Sequence, residues 1–473
     1  MVENGVPSRA ELLVHVLAPL DGPSAATAHA HIAALWEGCR DRLGFTAEVV
    51  GAGVPTDLPR TAEPRPGARL LAARERRDDG VQQAVLRVDH DVLCLSVMLA
   101  PRPEPGVLDW AALDRRWREV ADHAGGWTHP SLLGATRAYL GHLDGPWRPG
   151  PSAASAELAA ACVPALPDDD RRPGWRQRGV VAGAGFAVWE LGAGPDGRPE
   201  RRIMVLGPGD RDWELSAWTW ARADRATPSL LSYLIQAAKV RYQLRVWAQG
   251  DAVRALHRRV DARLDRLRAS LGQDVPAGRD ELARGLRTDL VDLVTMSSRL
   301  VEMRHSVGIA ATNMAAILAR EGAITTGEDL FGDDRALAEH FDRQLAEDIV
   351  FLGAVEKRAR ALAATAGDGP EGAAPTPADL PLAAAEKTEL RDQLAEIFGI
   401  GPRASQLVEE IGLVRSRAPH PAGLSAREWW AEVFRELDHG AVPAPYRRLL
   451  VAALRQYGHN PVLNRLAGRP GAP

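Results

Sequence analysis

The chain has 473 residues, of which 25% are charged and 45% hydrophobic, with a net charge of −4. That balance is ordinary for globular domains, and the length suits roughly three or four of them. Mild acidity argues against a general nucleic-acid surface, and no apolar run reaches the ~18 residues of a membrane-spanning helix.

MVENGVPSRAELLVHVL has no basic region ahead of an apolar core, so no signal peptide is expected. The cysteines, Cys39, Cys94 and Cys162, are odd in number and far apart, which points to a reducing compartment and a cytoplasmic location. Only Lys239, Lys357 and Lys387 are lysines, and the arginine bias suggests a GC-rich bacterial genome.

Residues 1–145 read as an α/β domain. LLVHVLAP is a strand, and TAHAHIAALWEGCRDRLG is a helix with Ile32, Leu35, Trp36, Cys39 and Leu43 on one stripe. GARLLAARE, QQAVLRV and DVLCLSVMLAP are strands, and the last is apolar enough to be buried on both faces. DWAALDRRWREVADH is a helix with Asp109 as its N-cap. A Pro/Ala/Asp-rich linker covers about residues 145–175.

Residues 175–228 form a second β-rich unit, with strands at GVVAGAGFAVWEL, RRIMVLGP and WELSAWTWA. Val85-Leu86 and Leu95-Ser96 recur as Val205-Leu206 and Leu215-Ser216, a hint of duplicated α/β units that chance also explains.

Residues 229–365 read as a long antiparallel three-helix bundle or coiled coil. The first helix is nearly uninterrupted from Ser229 to Gly272. In the second, Leu286, Leu290, Leu293, Met296, Leu300, Met303 and Val307 step by three and four; the third carries Leu337, Phe341, Leu345 and Leu352. Forty helical residues extend about 60 Å, which favours a spacer or oligomerisation arm over a pocket. A Pro/Gly/Ala linker spans 366–384, and residues 385–468 form a compact helical module.

The chemistry-bearing patterns are sparse. His29 and His31 sit two apart on a helix and point about 200° apart, so they cannot share an ion with Cys39. His90, Asp91 and Cys94 lie close in sequence, but Cys94 is inside an apolar strand, where an inert thiol is expected. GAGFAVWELG (Gly183 to Gly192) lacks a third glycine and a following helix, as a nucleotide loop would need. Asp168-Asp169-Asp170 reads as a solvated turn. No catalytic, cofactor-binding or metal residue is assigned, and no cofactor is expected.

GIGPRASQL has the look of a helix-hairpin-helix loop, in which Gly399 to Arg403 would grip a DNA phosphate. Between residues 386 and 410, however, Lys387, Arg391 and Arg403 are outnumbered by Glu386, Glu389, Asp392, Glu396, Glu409 and Glu410. Phosphate contacts want a basic surround, so a tight interhelical turn is expected.

In the last module, Ser425 and Glu428 make a capping box, and Leu424 and Trp429 occupy the staple positions. Trp430, Val433, Phe434 and Leu437 make the core stripe, and Gly440 stops the helix. The series LRDQLAEIF, ASQLVEEIGL, EWWAEVFRELDHGAV and YRRLLVAALRQYGHNPVLNRL resembles a bacterial effector-associated domain, a small death-like helical adaptor. The residues that carry the likeness are Trp429, Trp430, Gly440, Ala453-Leu454, Tyr457 and Asn460. HDVLCLSVMLAP, LSYLIQAAKVRYQLRVW and RHSVGIAATNM resemble the caspase and TPR repeat-associated proteins of actinobacterial conflict systems.

These resemblances imply an α+β multidomain protein and a non-enzymatic adaptor or sensor in antiviral defence. An effector, a caspase-like protease or TPR protein, would dock through the C-terminal domain. A homo-oligomer through the helical bundle is the other partner expected. Acidic residues gather on the first two helices of the module, including Glu409 and Glu410, and Arg447, Arg448, Arg455 and Arg465 on the last. These six are the expected contact residues. Two alternatives stand: a nucleotide-binding or hydrolytic enzyme in the α/β half, and DNA binding through Gly399–Arg403.

Overall fold

The structure, a computed structural model, describes residues 6–59, 65–77, 80–102, 108–126, 129–144, 154–168, 171–182, 185–192, 199–220, 226–271, 279–322, 328–367, 379–413, 418–419, 424–458 and 460–467. It divides into two compact units, Met1–Ala363 and Ala364–Pro473. The chain is α+β: a sheet-containing N-terminal region, long helices in the middle and a helical C-terminal region.

The first unit begins with β1 (Val6–Pro19), α1 (Ala25–Leu43), β2 (Ala47–Glu48), β3 (Arg65–Arg76), β4 (Val81–His90), β5 (Val92–Ala100), α2 (Trp110–His123) and β6 (Gly134–Asp144). It continues through α3 (Ala156–Cys162), β7 (Val180–Ala182), β8 (Phe186–Glu190), β9 (Glu200–Pro208) and α4 (Asp212–Thr219). Among the described residues, the strands form one nine-stranded sheet in the order β2-β3-β4-β5-β1-β6-β9-β8-β7. All its pairs are antiparallel except β6 with β9.

Alternation along β1 splits its side chains between two cores. Leu12, Val14 and Val16 meet Trp36 of α1 and Trp117 of α2, whereas Leu17 faces Leu231 and Ile235 of the first long helix. Helical cover on both faces explains why every residue of β5 is buried. Asp109 caps α2, accepting the Ala112 N–H at 2.8 Å.

The structure departs from the sequence reading in several places, and residues 156–162, expected within a linker, form α3 with Leu158 and Cys162 buried in the main core. Residues 134–144 form β6, a central strand that Gly, Thr, Arg and His disguise. Its polar side chains are buried because they are paired: Arg137 Nη1 and the Tyr139 hydroxyl donate to Asp114 Oδ1 at 2.5 and 2.9 Å. Gly141 is required there, since a Cβ would lie 2.7 Å from Leu206 and 2.8 Å from Trp110.

WELSAWTWA is the helix α4 and not a strand. Leu215 and Trp218, three apart, are buried while Trp213 is 72% exposed, a helical pattern that β-favouring tryptophans obscured. Leu95-Ser96 lies in β5 and Leu215-Ser216 in α4, so those two stretches are not structural equivalents.

The long helices are α5 (Ser229–Trp247), α6 (Asp251–Leu271), α7 (Arg279–Arg320) and α8 (Leu330–Gly367). The nearly uninterrupted first run breaks at Ala248, Gln249 and Gly250, which all take positive φ. The Trp247 indole anchors the break by donating to Asp348 Oδ2 at 2.8 Å. Both α5 and α6 pack along α7.

The second unit holds α9 (Ala384–Phe398), α10 (Pro402–Glu410), α11 (Ala426–Asp438), α12 (Pro445–Gln456) and α13 (Pro461–Ala467), which share one core.

Candidate functional site

The C-terminal unit is built around α11. Ser425 Oγ accepts the Glu428 N–H, while Glu428 Oε2 accepts the Ser425 N–H at 2.8 Å and its hydroxyl at 2.7 Å. Those bonds, the backbone one first, hold the Glu428 carboxyl below its usual range. At the other end the Gly440 and Ala441 N–H groups donate to Leu437 O and Glu436 O, a Schellman closure that needs Gly440 at φ 78°.

Both tryptophans are buried, with their rings edge-to-face at 5.2 Å. Trp429 Nε1 donates to Pro419 O at 2.8 Å, and Trp430 Nε1 to Gly399 O at 3.0 Å. Leu424 and Phe434 pack with them in the same core. Tyr457 sets its ring edge on Phe398 and its hydroxyl on Ile397 O, and Asn460 caps α13 through the Val462 and Leu463 N–H groups. The GIGP turn is therefore pinned from two sides. Gly399 and Gly401 sit at φ 61° and 136°, and the Gly399 carbonyl is committed to Trp430.

The charged candidates lie around this core. Arg455 pairs with Glu410 at 3.1 Å across α12 and α10, and Arg465 pairs with Glu389 across α13 and α9. Arg448 Nη1 donates to the Ile411 carbonyl at 3.4 Å, beside the C-terminal end of α10. Acidic and basic faces thus partly neutralise each other within the domain. Exposed pairs are worth about 0–1 kcal/mol, so a partner that offers better geometry can displace them. Glu409 is exposed and Arg447 half-buried. Sequence reasoning missed Asp379: its carboxylate accepts the Arg447 N–H at 3.0 Å, capping a helix whose own N-cap, Ala444, has no acceptor.

In the first unit, a carboxylate pair at the start of α8 joins helix to sheet. Asp334 accepts Arg201 Nη1 and the Tyr233 hydroxyl and pairs with Arg241, while Asp333 pairs with Arg172 and Arg178. Burial works against charge on Arg201, but Asp334 and Glu190 outweigh it and raise its pKa well above the usual value.

A cleft of about 500 Å³ opens between the loop after β1, the β4–β5 turn, α5 and α7, lined among others by Asp21, Asp91, Lys239, Tyr242 and Asn313. Lys239 Nζ donates to Asp91 at 2.6 Å, so its one lysine is already committed.

Elsewhere Glu11, His142 and Asp212 bring three ligand-type atoms within 4.8 Å. The cluster does not fit a resident metal. Arg9 Nη2 lies 2.8 Å from His142 Nδ1 and can only donate, so a neutral ring carries its proton on Nε2, facing the carboxylates.

The nucleophile candidates are sealed. Cys94 is fully buried in β5 and burial pushes its thiol up to about 11, while His90 sits on an exposed turn. His15 Nδ1 lies 2.8 Å from Ser96 Oγ inside the core. Burial, then Arg87, lowers the His15 pKa from 6.5 to about 3. A depressed histidine pKa destabilises the fold on acidification between those two values, because the unfolded chain takes up the proton first. From pH 7 to pH 5 this site should cost about 2 kcal/mol. The His15→Gln variant should show a flatter urea midpoint over that range; equal slopes would remove His15 as the cause.

Of the GAGFAVWELG stretch, Gly183 and Ala184 lie outside the described residues. Phe186–Glu190 is β8, so the glycines are followed by a strand and not a phosphate-binding helix N-terminus. Asp169 and Asp170 also lie outside the described residues. No helix among the described residues is long and apolar enough to cross a membrane.

Residues 11–223 match the CASPASE and TPR Repeat-Associated N-terminal domain, residues 228–359 the corresponding C-terminal domain, and residues 380–471 Effector-associated domain 1. No curated protein and no solved structure gives a significant match.

Proposed function

The chain belongs to the caspase and TPR repeat-associated proteins and ends in an effector-associated domain, and from that premise we propose that it is a non-enzymatic adaptor or sensor of a bacterial conflict system. Its C-terminal domain recruits an effector, a caspase-like protease or TPR protein, in the cytoplasm. The observation that carries this is a C-terminal unit with its own core, whose unusual residues are spent on capping and packing. What remains for recognition is the charged exterior, chiefly Glu409, Glu410, Arg447, Arg448, Arg455 and Arg465. The non-enzymatic part is supported by where the perturbed groups lie: His15, Cys94 and Arg201 are buried in cores, and none of them lines the Asp21–Asn313 cleft.

Arg448→Glu with Arg455→Glu should weaken binding to the effector encoded next door about tenfold or more, with helicity by circular dichroism unchanged. Unchanged affinity in a titration would refute this surface.

A second reading, nucleotide binding in the α/β half, draws on the size of the Asp21–Asn313 cleft. A thermal shift with one nucleotide from a panel would favour it over a pure adaptor.

A further inference from the structure

The helix α7 carries two rows at heptad spacing. The inner row, Leu286, Leu293, Leu300, Val307 and Met314, is buried in the bundle. The outer row is exposed along its length and falls into two unlike halves. Its first half presents Val291, Val294 and Val301, at 65%, 43% and 52% exposure. Its second half opens with His305 and then presents Gly308, Thr312, Ala315 and Ala319, also exposed. A Cβ at Gly308 would meet nothing within 4 Å. Open grooves of about 630 and 520 Å³ run beside this second half, towards Asp342 and Phe331 of α8.

We propose that the outer row of α7 is a homodimer seam that takes the same helix of a second copy, antiparallel. Heptad rows pair a to d in an antiparallel coil. About a two-fold axis near Met303, Val291 then faces Ala315 of the other copy, Val294 faces Thr312 and Ser298 faces Gly308. Two of the three valines of the first half thus meet small residues of the second, while Val301 faces His305 beside the axis. A parallel, in-register pair would stack valine on valine and leave the glycine layer empty, which close packing disfavours.

Charge supports the same axis. Arg304 makes a two-point ion pair with Asp342 at 2.8 and 3.1 Å beside it, so two copies bring alternating charges together. The paired seam runs from residue 291 to 315, about 36 Å of helix. Self-association here goes beyond effector recruitment and does not depend on it.

The test uses the intact chain. All three native cysteines are buried, so an introduced surface thiol reports its own neighbour. Val294→Cys and Thr312→Cys proteins are oxidised separately and as a mixture. The antiparallel seam gives a disulfide-linked heterodimer in the mixture and none with Val294→Cys alone. A link in Val294→Cys alone means a parallel pair and overturns the register.

Sedimentation of the native chain at micromolar concentration should give twice the 51.0 kDa chain mass, and Val294→Lys should return it to the chain mass. A monomeric native chain, or a dimer untouched by Val294→Lys and by Gly308→Leu, overturns the seam. The Arg448→Glu, Arg455→Glu protein should remain dimeric, which separates failure here from failure of the adaptor surface.

Discussion

Asp334→Asn is expected to cost the first unit about 3–5 kcal/mol, the range for removing one partner of a buried ion pair. Asp334 is 1% exposed and answers two guanidinium groups, Arg201 at 2.8 Å and Arg241 at 2.5 Å, plus the Tyr233 hydroxyl at 2.9 Å. The amide keeps the volume and removes the charge. Arg201 then keeps only Glu190 of its two carboxylates, and the Arg241–Asp334 pair is lost. Since Arg201 stands on β9, Arg241 on α5 and Asp334 on α8, the loss falls on the contact between sheet and helices. Tryptophan fluorescence in urea reads it as a lower midpoint. Asp342→Asn, which breaks the exposed pair with Arg304, is the comparison and should shift stability by less than about 1 kcal/mol. Similar small shifts in both variants would show that the buried network is dispensable.

Trp430→Ala should cost the C-terminal unit about 3–5 kcal/mol, from lost burial and the cavity left behind. The indole is fully buried, edge-to-face with Trp429, and supplies the donor that holds the Gly399 carbonyl. A domain of this size is stable by about 5–10 kcal/mol, so the loss takes it close to unfolding. Effector binding should disappear with it. Trp430→Phe keeps a ring but leaves the carbonyl unpaired, a loss of about 1–3 kcal/mol, so binding should survive in part. The first unit's transition should stay where it is in both. Retained binding by Trp430→Ala would mean that the recruiting surface lies outside this domain.

Local signals carried much of this structure. Apolar residues at every position of β5 except Ser96 predict a strand covered on both faces, and it lies between β4 and β1 under helices on either side. Ser425, Glu428 and Gly440 act through neighbours three or four residues away, so the start and stop of α11 are legible in its own sequence. The α4 helix was misread because Trp213, Trp218 and Trp220 favour strands, and only burial shows that Leu215 and Trp218 share a face. The polar residues of β6 hide it in the sequence, and only the fold shows Asp114, 23 residues from Arg137, pairing with Arg137 and Tyr139.

The candidate contact surface divides in the same way. The acidic and basic residues of the C-terminal domain are legible as two groups, but their pairing across helices, Glu410 with Arg455 and Glu389 with Arg465, spans 45 and 76 residues. The sequence by itself determined the elements with strong periodicity, their caps, and the family likeness of the two ends of the chain, because those depend on residues within a few turns of one another. Only the tertiary structure decided which buried charges are partnered, that the N-terminal strands close into one sheet, and which face of α7 is left open. Each of those depends on groups far apart in the chain, and the desolvation that makes them matter exists only once the core has formed.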